Sequence, residues 1–245
     1  MKCSHWPACI TVLYVLLVST THGHMEMVHP PPIKSKYNPH YDYDSIDYSY
    51  SNPLGDYPCK GYHIGEPPIS TAQYDVGVEQ ILTIKGVADH GGGSCQIALS
   101  YDAGETFIVI KSIVGGCPLN TNYTFTVPYS APHGQALLSW TWISRLGNRD
   151  FYQNCAWVDI SNPVANMMEL AGPELFVAQI PGACTVEEGY DFIYPDPGLD
   201  VEFRGTSDNY TIICEDCYDL KEKSREEGDK AKQHTMSQKT CIIHI

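Results

Sequence analysis

The chain has 245 residues, and its 15 Lys and Arg against 29 Asp and Glu give a net charge of −14. Such an acidic chain is repelled by nucleic acid and by anionic lipid surfaces, so neither is expected as a partner. A neutral or cationic partner, or simple solubility, fits the charge equally well.

Residues 1–23 read as a signal peptide: Lys2 is the positive start, "ACITVLYVLLVST" the apolar run and Thr21-His22-Gly23 a small-x-small cleavage site. The run is short for a bilayer span, and no later stretch approaches the roughly 20 apolar residues a span needs. A secreted, extracellular protein is expected. Cleavage after Gly23 would leave His24 as the first residue; cleavage after Thr21 would leave His22-Gly23-His24.

Residues 33–52, "IKSKYNPHYDYDSIDYSYSN", alternate Tyr with Asp and Ser without apolar period and read as a long loop. Its tyrosines offer faces that stack on pyranose rings or decorate a mobile loop. From residue 79 onward, short β-rich runs are separated by turn signals: "QILTIKGV", "CQIALSY", "TFIVIKSI", "NYTFTVP", "ALLSWTWIS" and "FYQNCAWVDI". No run of a dozen residues shows helical periodicity. The pattern predicts an all-β fold, an immunoglobulin- or fibronectin III-like antiparallel sandwich. A C-terminal extension is expected to pack on it, so that the domain covers 24–205. Residues 206–245, charge-dense and poor in aromatics, read as a disordered tail.

Eight cysteines follow the leader, an even number that suits disulfides in an exported chain. The strand plan suggests Cys59 with Cys155, Cys95 with Cys117 and Cys184 with Cys214, although spacing alone fixes no connectivity. Cys217 and Cys241 would pair in the tail or stay free. Sequons at Asn122 and Asn209 are candidate glycosylation sites.

Two histidines stand apart. His90, in "ADHGGGSCQ", ends a strand and precedes three glycines that let the backbone turn and leave the imidazole clear. Ala88 shares its face by the period of two, as Asp150 and Asn154 share that of Tyr152. His24, if first, offers an α-amine besides its imidazole. Three nitrogens from His24 and His90 in a flat T, with a phenol on the axis, suit Cu(II), which favours tetragonal nitrogen and oxygen donors. The amine, with a reference pKa near 8, would lose its proton to the metal.

The stretches "HMEMVHPPP", "HGGGSCQIALSYD", "VIKSIVGGCP", "LSWTWISRLGNRDFYQNCAWVDI" and "PELFVAQI" resemble fungal lytic polysaccharide monooxygenases of auxiliary activity family eleven. The resemblance spans roughly residues 24–205. It implies a histidine brace, in which His24 and His90 hold one copper ion and Tyr152 is the weak axial partner. It also implies that Ala88 crowds the opposite axial side, with Asn148, Arg149 and Asp150 around the site. The family pattern has Glu where this chain has Asp150, shorter by one methylene. The implied reaction is oxidative cleavage of crystalline chitin or a related polysaccharide by a monomer, using oxygen or hydrogen peroxide and an external electron donor. Two alternatives remain: a copper-binding or delivery protein with the same brace and no catalysis, and a metal-free carbohydrate-binding or adhesion module.

Overall fold

The computed structural model describes residues 24–147, 149–164, 169–206 and 210–211, and the backbone of 214–215. Two sheets face each other. The smaller has the order β1 (His24–His29), β3 (Glu79–Ala88), β6 (Asn122–Thr126), all antiparallel. In the larger, β4 (Gly93–Ser100) is flanked by β5 (Ile108–Val114) and β7 (Gly134–Ser144), and β7 pairs with β8 (Phe151–Ser161), all antiparallel. Short parallel strands close its edges: β2 (Ala72–Asp75) beside β8 and β11 (Val201–Phe203) beside β5. The expected β-sandwich is therefore present, with all six sequence-read strands, but its larger sheet is antiparallel only in the middle.

Alternation explains the packing. Met25, Met27, Leu82, Ile84, Tyr123 and Phe125 of the small sheet meet Ile97, Leu99, Leu138, Trp140, Trp142 and Tyr152 of the large one. Strands β7 and β8 are almost continuously buried because their other face is covered as well. There Ala98, Leu137 and Trp157 lie under Ile33, Phe107 and Leu175. Ile143 and Phe151 lie under Ala178, Val186, Phe192 and Tyr194 of the C-terminal extension.

The long loop, 33–52, is not a free decoration. Ile33 N–H donates to Cys155 O at 2.9 Å and Leu54 N–H to Phe151 O at 2.9 Å, so the segment runs along the edge of β8 that β2 leaves unpaired. Lys36 Nζ donates to Glu26 Oε1 of β1 at 2.6 Å, and Glu26 is only 4% exposed. Tyr50 is buried, whereas Tyr43 and Tyr48 face solvent as a tilted pair 5.3 Å apart. Stacking by all five tyrosines is thus excluded by packing.

Cys59–Cys155 and Cys95–Cys117 are disulfides, as the strand plan suggested. Cys184 is disulfide-bonded too. The side chain of Cys214 lies outside the described residues, as do Cys217 and Cys241. Pairing continues past residue 205, where the sequence reading began the disordered tail. β12 (Tyr210–Thr211) runs parallel to β10 (Asp191–Phe192), and β13 (Cys214–Glu215) antiparallel to β9 (Thr185–Val186). The leader and residues 216–245 lie outside the described residues. Among those described, no helix is long and apolar enough to cross a membrane.

Candidate metal centre

His24 opens β1 in register with Ala88, the last residue of β3. Two residues later the chain turns. Asp89 anchors the turn, its Oδ1 accepting from Gly91 N–H at 2.9 Å and its carbonyl from Gly92 N–H at 2.9 Å. His90 adopts φ +50°, and Gly91, Gly92 and Gly93 follow at +68°, +99° and +131°. The glycines make the turn as expected, but they do not leave the imidazole clear, since it lies against Trp142. His90 is beyond the strand in a left-handed conformation, so the period-two relation to Ala88 does not apply to it.

The carbonyl of Gly92 pins this turn to β7, accepting from Trp142 Nε1 at 3.2 Å and from Arg145 N–H at 3.1 Å. Rings then run continuously from turn to sheet: His90 to Trp142 at 5.9 Å and Trp142 to Tyr152 at 4.4 Å. Trp142 and Tyr152 are opposite one another in the β7–β8 ladder, and both are fully buried. One pleat further along β8, Asn154 Oδ1 accepts Met27 N–H at 2.7 Å, which ties the inner face of β8 to β1. The two strands and the turn that carry His24, His90 and Tyr152 are thereby joined by interior hydrogen bonds.

Burial, and secondly the charge of Asp150, push the Tyr152 hydroxyl above its ordinary pKa and keep it a neutral phenol. Asp150 itself precedes β8 and is half-buried; it does not belong to the strand face it was expected to share with Tyr152. Its neighbour Arg149, at φ +53°, donates from Nη1 to Val186 O at 2.6 Å. The same loop is held by Glu188 Oε1 on Gly147 N–H at 3.0 Å. Arg145 and Gly189 also exchange hydrogen bonds, at 2.9 and 3.1 Å. The C-terminal extension thus props the loop before Tyr152, a support that the sequence reading missed. Trp142 was missed as well, although Trp140-x-Trp142 in an apolar run marks two indoles on one strand face. Asn148 and Asn209 lie outside the described residues; Asn122 is exposed on β6, its Oδ1 accepting from Thr83 Oγ1 at 3.0 Å.

Among the described residues, no three His, Cys, Asp or Glu side chains cluster as a metal cage. A donor set of two imidazoles, an α-amine and a phenol needs no such cluster. His90 Nε2 fits it: this nitrogen is buried without a hydrogen-bond partner, a costly state that a bound cation would relieve. Gly147 stands against the same ring; a Cβ there would fall 2.6 Å from His90 Nδ1. Two cavities, about 440 and 240 Å³, are lined by Asp75, Tyr129 and Asn162 and by Asn38, Tyr41, Glu66 and Trp157 respectively, and neither includes His24, His90 or Tyr152.

No protein-family model matches the chain. It is 44% identical over 189 residues to the AA11 family lytic polysaccharide monooxygenase A of Aspergillus fumigatus, covering 75% of this chain and 86% of that protein. It is 34% identical to an AA11 family lytic polysaccharide monooxygenase B of Aspergillus fumigatus, over 82% of this chain and 54% of the other. It is also 34% identical to an AA11 enzyme of Aspergillus oryzae, over 80% and 51%. The chain spans about half the length of these last two. Solved structures that it resembles include a cellulose-active polysaccharide monooxygenase from M. thermophila, with TM-score 0.33 and 14% identity over 41% of this chain and 57% of that one. Another is the chitin-active lytic polysaccharide monooxygenase BlLPMO10A, with TM-score 0.26 and 15% identity over 37% and 58%.

Proposed function

Because the chain belongs to the AA11 family of lytic polysaccharide monooxygenases, copper-dependent oxidoreductases that cleave polysaccharides, we propose that it is secreted and cleaves chitin at a histidine brace. His24 would hold the ion through its α-amine and imidazole and His90 through Nε2, with Tyr152 as a weak further donor. Copper, when bound, supplies the redox chemistry: one-electron reduction by an external donor, and activation of oxygen or hydrogen peroxide for attack on a C–H bond at the glycosidic linkage.

The remaining work falls to the chain. Tyr152, kept neutral by burial and by the Asp150 charge, offers a phenol rather than a strong phenolate donor. Trp142 fixes the height of the His90 turn through Gly92 O. Arg149, anchored on Val186 O, holds the loop that presents Asp150. Asp150, one methylene shorter than Glu, would put its carboxylate charge near Tyr152. The protein would work as a monomer.

The observation that carries this reading is the buried, unpartnered Nε2 of His90 beside the Trp142–Tyr152 pair. The test is to incubate copper-loaded protein starting at His24 with chitin and ascorbate, and to analyse products by mass. Oxidised oligosaccharides are expected from the wild type and none from His90→Ala. A protein that binds copper tightly and releases none would defeat the assignment.

A further inference from the structure

The turn that carries His90 is flanked by exposed apolar side chains that the metal chemistry does not require. Leu146 is 45% exposed, and a Cβ built on Gly91 would lie 3.0 Å from its Cδ1. Leu119 is 52% exposed, and a Cβ on Gly92 would lie 3.4 Å from its Cγ. Beside them, Gly91 and Gly147 are exposed and carry no side chain of their own that would hold a ligand off. Single exposed apolar residues are ordinary on any protein. These two differ in that both stand against the same glycine turn, next to the candidate metal ligand.

We propose that Leu119 and Leu146 are specificity-determining contacts for the acetamido methyl groups of a β-1,4-linked N-acetylglucosamine chain. The inference rests on the functional reading above. A polymer that presents a C–H bond to an ion on His90 must cross the residues around the His90 turn. Cellulose and chitin share the pyranose ring and the linkage. They differ at C2, where one carries a hydroxyl and the other an acetamide ending in a methyl. Apolar side chains on that path gain by covering a methyl and gain nothing from a hydroxyl, which loses water against them. Neither leucine is charged, so the preference is one of apolar area and not of Coulomb attraction. Burying about half a leucine corresponds to roughly a tenfold change in affinity for each residue.

The experiment is a set of adsorption isotherms on chitin and on microcrystalline cellulose, using processed, copper-loaded protein. The variants are Leu119→Ser, Leu146→Ser and the double substitution. Leu119→Ala and Leu146→Ala guard against loss of folding, and Leu199→Ser, fully exposed beside the Gly198–Pro173 contact, is the surface control. Each leucine variant is expected to bind chitin about tenfold more weakly, with cellulose adsorption, copper affinity by calorimetry and thermal midpoint unchanged. Chitin adsorption by the double variant equal to wild type would overturn the inference, as would an equal loss on both polymers. A wild type that binds copper but adsorbs to no chitin would instead overturn the functional reading, and this inference with it.

Discussion

His90 owes its reach to a backbone conformation that most residues avoid. At φ +50°, with three glycines of positive φ behind it, its imidazole is carried off the strand and laid against Trp142. Substituting His90 by Ala should leave the fold intact and reduce copper affinity by at least about a hundredfold, read by calorimetry on the processed protein. The glycine run and the histidine were legible in the sequence. The setting of the ring was not, because Trp142 and Gly147 reach it from another strand and loop. Asp191 is a second residue no motif announces. It is 2% exposed with Oδ1 unpartnered, and it faces Arg145 and Tyr210. Burial raises its pKa, with the Arg145 charge acting in the opposite direction. The folded protein therefore keeps this proton to higher pH than the unfolded chain. The associated stability is complete below the ordinary carboxylate range and is lost as pH rises through the raised folded value. Asp191→Asn should flatten that decline, giving a higher thermal midpoint than wild type at about pH 8 and a smaller gain at about pH 5.

At the scale of elements, the six central strands could be read because β-branched and aromatic residues recur at period two or in doubly buried runs. β1 could not. "HMEMVH" hides its outward-facing Glu26 beneath the long loop through an ion pair with Lys36, so the polar residue that should mark a solvent face is itself buried. That loop was legible as a loop but not as the cover of an unpaired strand edge, since its partners, Phe151 O and Cys155 O, lie about a hundred residues away in the chain. The extension read as packed is also the brace of the Arg145–Arg149 loop, which no local pattern signals. The contact between β1 and β3 is close enough to test. A Cβ on Gly86 would fall 1.9 Å from His24 O and 2.7 Å from Met25 Cα. Gly86→Ala should therefore push the start of β1 off β3, costing about 1–3 kcal/mol in denaturant titration. Copper affinity should fall with it, whereas a substitution at Thr83, further along the same strand, should leave the affinity unchanged.

Over the whole molecule, two described disulfides divide the stabilising work unequally. Cys59–Cys155 closes a loop of 96 residues and ties the 3-10 turn at Cys59–Gly61 to β8; Cys95–Cys117 closes one of 22, joining β4 to the turn that follows β5. Chain-entropy arguments give about 4.7 and 3.4 kcal/mol respectively. Paired serine substitutions should show the longer bridge to be worth about 1 kcal/mol more in guanidinium unfolding, a ranking the opposite result would refute. The distribution of covers over both faces of the larger sheet was not visible in composition. The register of the first strand, His24 against Ala88, also governs how such a protein can be manufactured. A purification tag scar or retained initiator methionine ahead of residue 24 could not be absorbed by sliding the strand one place, because that would turn Met25 and Met27 out of the core. Recombinant batches with a ragged start should fold, melt like the authentic material and still emerge poor in copper, so quality control by circular dichroism alone would pass an inert product.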